Sequence, residues 1–473
     1  MTDSHKPGVT RREVLQAAGT VAAASALAGV AIPHVHAAED NTIRLALIGC
    51  GGRGTGATVN AVNAKGGPVK LVAMADAFKD RLDRSYGDLK GALGTKFGKV
   101  VDVPEDRKFI GFEAYKQAMD YLRKGDIVLL TTPPAFRWVH FTHAIDRGLN
   151  VFMEKPVAVD GPSSRRMFAL GEKAEKAGLK VGVGLMCRHC VARHALLEQL
   201  HRGAIGDILL LQAFRQMGPE ASSQVVARPK GMNELEYQIR KFHGFLWASG
   251  GCYSDFLIHN IDECCWMKGD WPIQAEGSGG RHYRATARGE PTVDQNFDVY
   301  SVEYTFKDGT KLMLEGRTMP FCRTRFASYI HGSKGSGIIS FNSHTPAKPR
   351  LFKGHTFTKA DEIWHFGKGD GKDEPNPYDL EWDDLLAAIR ENRPYNEVHR
   401  GVEAALVTAM GRTAAHTGQV ITREHMLNYS DELALAPHVD KLALDQPPPV
   451  LAGPDGKYPL PRPGRTRPPY REF

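Results

Sequence analysis

Two groups of residues have the types and spacing to do chemistry. Gly49-Cys50-Gly51-Gly52-Arg53-Gly54 has the spacing G-x-G-x-x-G. In that pattern Gly49 allows a tight turn, Gly51 lets backbone approach a pyrophosphate, and Gly54 permits close helix–strand packing. A helix opening there presents unpaired N–H groups to the anion, with Gly52 and Arg53 in its first turn. Asp76, about 20 residues on, is placed to accept ribose hydroxyls. The same acid would repel a ribose phosphate, which favours NAD over NADP, although Lys79 and Arg81 keep NADP open. The second group is Asp255 and His259, which at i and i+4 share one helix face. Side by side, the carboxylate can orient the imidazole and stabilise it when protonated. Removing hydride from a secondary alcohol needs a base for the hydroxyl proton and a cation for the developing alkoxide. The other readings are a helix N-terminal acid at Asp255 and a metal held by Asp255, His259 and Asp262. No further ligands are spaced to complete a metal site, so none is expected.

Strand and helix signals alternate around these residues. Ile43–Ile48, Val69–Ala75, Asp126–Thr131, Asn150–Met153 and Lys180–Leu185 are short apolar runs bounded by Gly, Pro or charge. Such runs suit a parallel sheet covered on both faces. Between them Phe112, Tyr115, Ala118, Met119 and Leu122 follow helical spacing, as do Met167, Leu170 and Ala174 before Gly178. The fold class expected is α/β. A doubly wound dinucleotide-binding domain spans 42–158, and an α+β domain with an open mixed or antiparallel sheet spans 159–430. Val302, Tyr304 and Phe306 alternate with polar residues, Asp308-Gly309 turns the chain, and Leu312 and Leu314 resume the alternation, which predicts a hairpin. Helices return near 379–391 and 398–417. From Gln446 the chain carries nine prolines and five basic residues, an extended arm that is disordered or laid along a neighbouring surface.

Of 473 residues, 42% are apolar and 24% charged, which excludes a mainly disordered chain, a collagen-like repeat and a polytopic membrane protein. The net charge of +7 is spread along the chain, so no nucleic-acid partner is expected. Seven cysteines make no disulfide framework. Arg11-Arg12 precedes an alanine-rich apolar stretch, Ala17 to Ile32, with Val35-His36-Ala37 as a cleavage site. Residues 1–37 thus read as a twin-arginine export signal. The stretch is short for a membrane span, so no stable span and a periplasmic or otherwise exported location are expected. Cys187-Arg188-His189-Cys190 has C-x-x-C spacing but no thioredoxin-like context. Cys264-Cys265 reads as helix core.

The remaining motifs carry a resemblance. Thr132-Pro133-Pro134 follows the 126–131 run, and Glu154-Lys155-Pro156 follows Asn150–Met153. Gly250-Gly251 opens a segment with Asp255, His259 and Asp262 that runs on to Trp266 and Gly269. This arrangement resembles the glucose–fructose oxidoreductase, inositol dehydrogenase and MocA-like family (Gfo/Idh/MocA), from about Ile43 to Met319 and more loosely to Thr422. The resemblance implies a Rossmann domain and nicotinamide-dependent redox chemistry on a sugar, polyol or glycoside. It further implies an open-sheet domain through which many members form dimers or tetramers. It implies His259 as acid/base, Lys155 as the cation on the substrate oxygen, and Asp255 as the residue that orients and tunes. Glu154, Thr132 and Pro133 would line the cofactor cleft beside Lys155. Arg188 and His189, after a strand, and Tyr237 with Arg240, would contact substrate. Three outcomes are open: net hydride transfer, redox-neutral glycoside cleavage by oxidation and elimination, and a non-catalytic sugar-binding scaffold.

Overall fold

The apolar runs pair edge to edge into a six-stranded sheet of order β3-β2-β1-β4-β5-β6. Its strands are β1 (Ile43–Ile48), β2 (Val69–Asp76), β3 (Lys108–Ile110), β4 (Ile127–Leu130), β5 (Asn150–Met153) and β6 (Val181–Val183). Every pairing is parallel. β4 and β5 are buried along their whole length, because helices cover both faces of a doubly wound sheet. The strand order reverses between β1 and β4, which opens a crevice at the carboxyl ends of those strands where ligands bind. The computed structural model describes residues 41–434, 439–464 and 472–473. The signal read in residues 1–37 lies outside them.

The sheet corrects one expected boundary. β6 lies beyond residue 158 yet pairs with β5, so the first domain does not end there. Its edge is finished by residues from much later in the chain. Val181 bridges Asn396, and Glu397 accepts a hydrogen bond from Val183 N at 2.8 Å. The Pro377–Arg390 helix packs on this edge with Trp382 stacked on Phe152 at 4.4 Å. Sequence order cannot reveal such a return.

Among the described residues the second sheet has nine strands, in the order β14 (Glu362–His365), β13 (Arg350–Lys353), β12 (Gly335–Phe341), β11, β7, β10, β9, β8 (Gln274–Gly280) and β15 (Ile421–Thr422). The central ones are β7 (Ile208–Met217), β9 (Val299–Thr305), β10 (Lys311–Thr318) and β11 (Arg325–Gly332). Among the described residues its only parallel pair is β7 with β10, so the sheet is mixed. The expected hairpin forms, with Val302 opposite Leu314 and Tyr304 opposite Leu312. These residues alternate buried and half-buried, so one face packs inward. The Ile258–Lys268 and Val398–Thr417 helices cover that face and share a core with it at Ile261, Leu312, Leu406 and Met410. Cys264 and Cys265 lie in this core, as read. The described part of the proline-rich arm lies along its own chain. Val450 O accepts from Gln238 Nε2 at 2.8 Å, Pro459 O from Gln295 Nε2 at 3.2 Å, and Gly464 N donates to Thr417 O at 3.0 Å.

Candidate active site

The glycine turn sits at the crevice, between β1 and the Gly52–Asn63 helix. Gly49 has φ +96°, and a Cβ there would lie 2.7 Å from Thr132 N. A Cβ on Gly54 would lie 2.3 Å from Gly49 O and 2.5 Å from Thr131 Oγ1. Gly51 and Gly52, in contrast, face open space, which is the room a pyrophosphate needs above the helix N-terminus. Asp76 ends β2 and accepts from Cys50 N at 2.7 Å and Phe78 N at 2.9 Å. Burial pushes its carboxyl above the ordinary value, against those two bonds. Asp76, Phe78, Arg81 and Tyr115 line a cavity of about 110 Å³ with Gly49 and Gly51. Lys79 Nζ is held by Asp83 at 2.7 Å, while Arg81, which lines the cavity, donates through Nη2 to Arg240 O at 2.9 Å. This cradle suits an unphosphorylated ribose beside an acid. Gly54→Ala should raise the NADH dissociation constant about tenfold or more, read by fluorescence titration; an unchanged constant would refute the cradle.

Thr131, Thr132 and Phe242 are shared with a second cavity of about 290 Å³. Its walls include Arg53, Glu154, Lys155, Asp255, His259 and Tyr378. The turn after β5 projects Lys155, whose Nζ donates to Asp255 O at 2.6 Å and meets Asp255 Oδ1 at 3.4 Å. Asp255 Oδ2 lies 3.1 Å from His243 Nε2. Burial alone would raise the Asp255 carboxyl, but Lys155 and then His243 outweigh it and hold it ionised, well below the usual range. Glu154 pairs with Arg53 Nε at 2.8 Å, and that guanidinium lies 4.9 Å from the Tyr378 ring. Beside them Glu381 is buried, and burial and then Glu154 push its carboxyl well above the ordinary value. Thr132 Oγ1 is 3.1 Å from His140 Nδ1, and Pro133 lines the dinucleotide side.

Asp255 and His259 both reach this cleft, but the carboxylate does not orient that imidazole. The Gly251–Phe256 and Ile258–Lys268 helices meet at Leu257, and Lys155 and His243 take the carboxylate. His259 is 7% exposed and its Nδ1 is buried without a partner. Burial, then Lys155 and Arg215, drive its pKa well below the ordinary value, so the imidazole is neutral. Asp262 faces elsewhere, bonded bidentately by Arg188 at 2.9 and 2.7 Å. Among the described residues no cluster of His, Cys, Asp and Glu could hold a metal ion.

The four residues read as substrate contacts lie outside the cleft. Arg188 is spent on Asp262 and sits over Trp266. His189 Nδ1 is 2.6 Å from Asp384, with Glu397 on its other nitrogen. Tyr237 is buried and donates its hydroxyl to Val226 O. Arg240 pairs with Asp80 at 2.9 and 2.7 Å. The residues that do face Lys155 and His259 include His243, Arg215 from β7, and His344 after β12 (Gly335–Phe341). His344 lies 4.5 Å from His259, ring to ring, and bonds Arg215. Nothing in their local sequence marks them, because they meet the site only through the second sheet. Cys187 and Cys190 are buried free thiols, and burial raises the Cys187 thiol.

A glycine turn and an acid at the switch point of a doubly wound sheet define a dinucleotide-binding domain, here opening onto a cleft with an ammonium and a neutral imidazole. Residues 43–185 match the Gfo/Idh/MocA family, described as an oxidoreductase family with an NAD-binding Rossmann fold. The first domain is therefore an NAD-binding Rossmann domain. The chain is 22% identical over 189 residues to the rhizopine catabolism protein MocA of Rhizobium meliloti, covering 39% of this chain and 52% of that one. It is 24% identical to the scyllo-inositol 2-dehydrogenase (NAD(+)) of Bacillus subtilis, over 67% of this chain and 80% of the relative. The chain thus spans about half the length of MocA and more of the inositol enzyme. In fold it is similar to the aldose-aldose oxidoreductase of Caulobacter crescentus, with TM-score 0.60 and 17% identity, covering 80% of this chain and 99% of that structure.

Proposed function

We propose that this chain is an NAD-dependent oxidoreductase that moves hydride between the nicotinamide and a CH–OH carbon of a sugar, polyol or glycoside. The observation that carries the reading is the Lys155–Asp255 pair beside neutral His259, in a cavity that shares walls with the dinucleotide groove. Bound NAD supplies a two-electron hydride acceptor. Lys155 provides the positive charge toward which an alkoxide develops and exchanges the hydroxyl proton, and the neutral imidazole of His259 can accept a hydrogen bond from that hydroxyl. Arg53, Glu154 and Thr132 would flank the nicotinamide end of the groove.

The cofactor stays bound through turnover. Val439 and Leu442 line the Asp76 cavity and share a buried apolar cluster with Phe78, Phe136 and Ile239. Asn233 Nδ2 ties this segment down at Leu444 O, 2.7 Å away, and Tyr458 bonds Glu234. The Glu234–Arg240 helix that anchors it is itself clamped to Asp80. Retention suits an exported enzyme, with residues 1–37 as signal, that recycles its dinucleotide on a second carbonyl or by cleaving a glycoside. No helix among the described residues is long and apolar enough to cross a membrane. The half-buried face of the nine-stranded sheet, with Leu210, Met313 and Tyr329, supports a dimer or tetramer.

Native mass spectrometry should find one NAD per chain, and an absorbance rise at 340 nm should follow addition of myo-inositol or a methyl glucoside. Release of aglycone without net NADH would select oxidation–elimination. Absence of dinucleotide together with a flat trace for every sugar in a broad panel would overturn the reading.

A further inference from the structure

The family expectation pairs Asp255 with His259, but here the histidine coupled to Lys155 through Asp255 is His243. Its Nε2 is 3.1 Å from Asp255 Oδ2, and its Nδ1 is 2.7 Å from Ser222 Oγ. The ring lies between Phe242, 3.9 Å away, and Phe256, 5.4 Å away and nearly parallel. Its backbone carbonyl is held by Asn296 Nδ2 at 2.9 Å. Ser222 is half-buried beside exposed Ala221, at the protein surface. A continuous row of polar atoms thus runs from the Lys155 ammonium, whose side chain is only 16% exposed, to solvent. His259 offers no such exit: its Nδ1 has no partner, and the surrounding cations oppose a proton on the ring.

Resting on the proposed oxidoreductase reading, we propose that Lys155, Asp255, His243 and Ser222 form the proton path between the substrate oxygen and solvent, with His243 as its relay. In the reductive direction the carbonyl carbon takes hydride, and its oxygen takes a proton from Lys155 Nζ. Asp255, a carboxylate at rest, takes the His243 Nε2 proton on Oδ2 and, by turning its carboxyl, delivers it to Lys155. His243 Nδ1 takes the Ser222 hydroxyl proton, and Ser222 takes one from water. Each member gives one proton and takes one, so the net transfer is one proton from water to the new hydroxyl. Alcohol oxidation runs the row backwards. A cycle that oxidises and then reduces therefore returns His243 to its starting tautomer, which suits recycling on a retained cofactor.

The test follows a single turnover of the NAD-loaded protein with myo-inositol or methyl β-D-glucoside in weak buffer. Absorbance at 340 nm reports hydride, and a pH-indicator dye reports the proton reaching bulk water. In the wild type the two signals should rise together. In His243→Gln, proton release should trail cofactor reduction by about tenfold or more, and added imidazole should restore it. Ser222→Ala, a milder change, should shift the signals the same way. Coincident signals in both variants would overturn the relay and leave the oxidoreductase reading intact. A flat 340 nm trace in the wild type would overturn both.

Discussion

Lys155→Ala should keep its dinucleotide and lose turnover by about a thousandfold or more, which is the cost expected when a charge aimed at a developing oxyanion is removed. Binding should survive because the glycine turn and Asp76 line a separate cavity that Lys155 does not reach. Turnover should not, for two reasons. The substrate oxygen loses the ammonium that favours its alkoxide, and Asp255 loses the strongest of the charges that keep it ionised. Burial would then push the Asp255 carboxyl up, with His243 alone opposing it. Lys155→Arg should not rescue, because a planar guanidinium cannot reproduce a point charge held at 2.6 Å from Asp255 O in this turn. Single-turnover absorbance at 340 nm, alongside native mass spectrometry for bound NAD, checks both halves. Near-full turnover in Lys155→Ala would remove Lys155 from the chemistry.

Much of this site was legible because its parts are local. Gly49 to Gly54 and Asp76 follow strands whose apolar runs are unmistakable, and their roles depend on spacing within one βαβ unit. The β9–β10 hairpin was legible for the same reason. Lys155, Asp255 and His259 were legible as motifs, but the bond between them was not. Which group takes a buried carboxylate is a contest among neighbours, and His243 enters from the short 3-10 turn Phe242–Gly244 with no spacing relation to Asp255. Arg188 and His189 failed in the opposite way. Their position after β6 is right for substrate contact, yet Asp262 and Asp384 approach from the Ile258–Lys268 and Pro377–Arg390 helices and claim them. The return of Glu397 and Trp382 to the edge of the first sheet was hidden likewise, since it joins residues more than 200 positions apart.

The same long-range logic makes Glu472 the residue whose loss should most damage stability. Its carboxylate meets Arg412 Nε at 2.8 Å and Nη2 at 3.2 Å, and His416 Nδ1 at 2.9 Å, all buried. Burial would raise this carboxyl, but Arg412 and His416 overcome it and bring it down to about 2. Through Nη1 the same guanidinium donates to Val159 O and Ser254 Oγ, each at 3.0 Å. It therefore joins the segment just after Lys155 to the helix that carries Asp255. Glu472→Ala leaves Arg412 charged and unpaired in the core, which costs about 3–5 kcal/mol. Denaturant unfolding should show that loss at pH 7. Because the folded carboxyl titrates below the unfolded one, its contribution is full above about pH 4.5 and disappears as pH falls toward about 2. The gap between wild type and Glu472→Ala should therefore narrow across that interval. The sugar-dependent absorbance change should weaken in the variant as well, even where it remains folded, because the Lys155 turn and the Asp255 helix lose their common tether. A variant as stable and as active as the wild type would mean that Arg412 holds the two domains in register without its carboxylate.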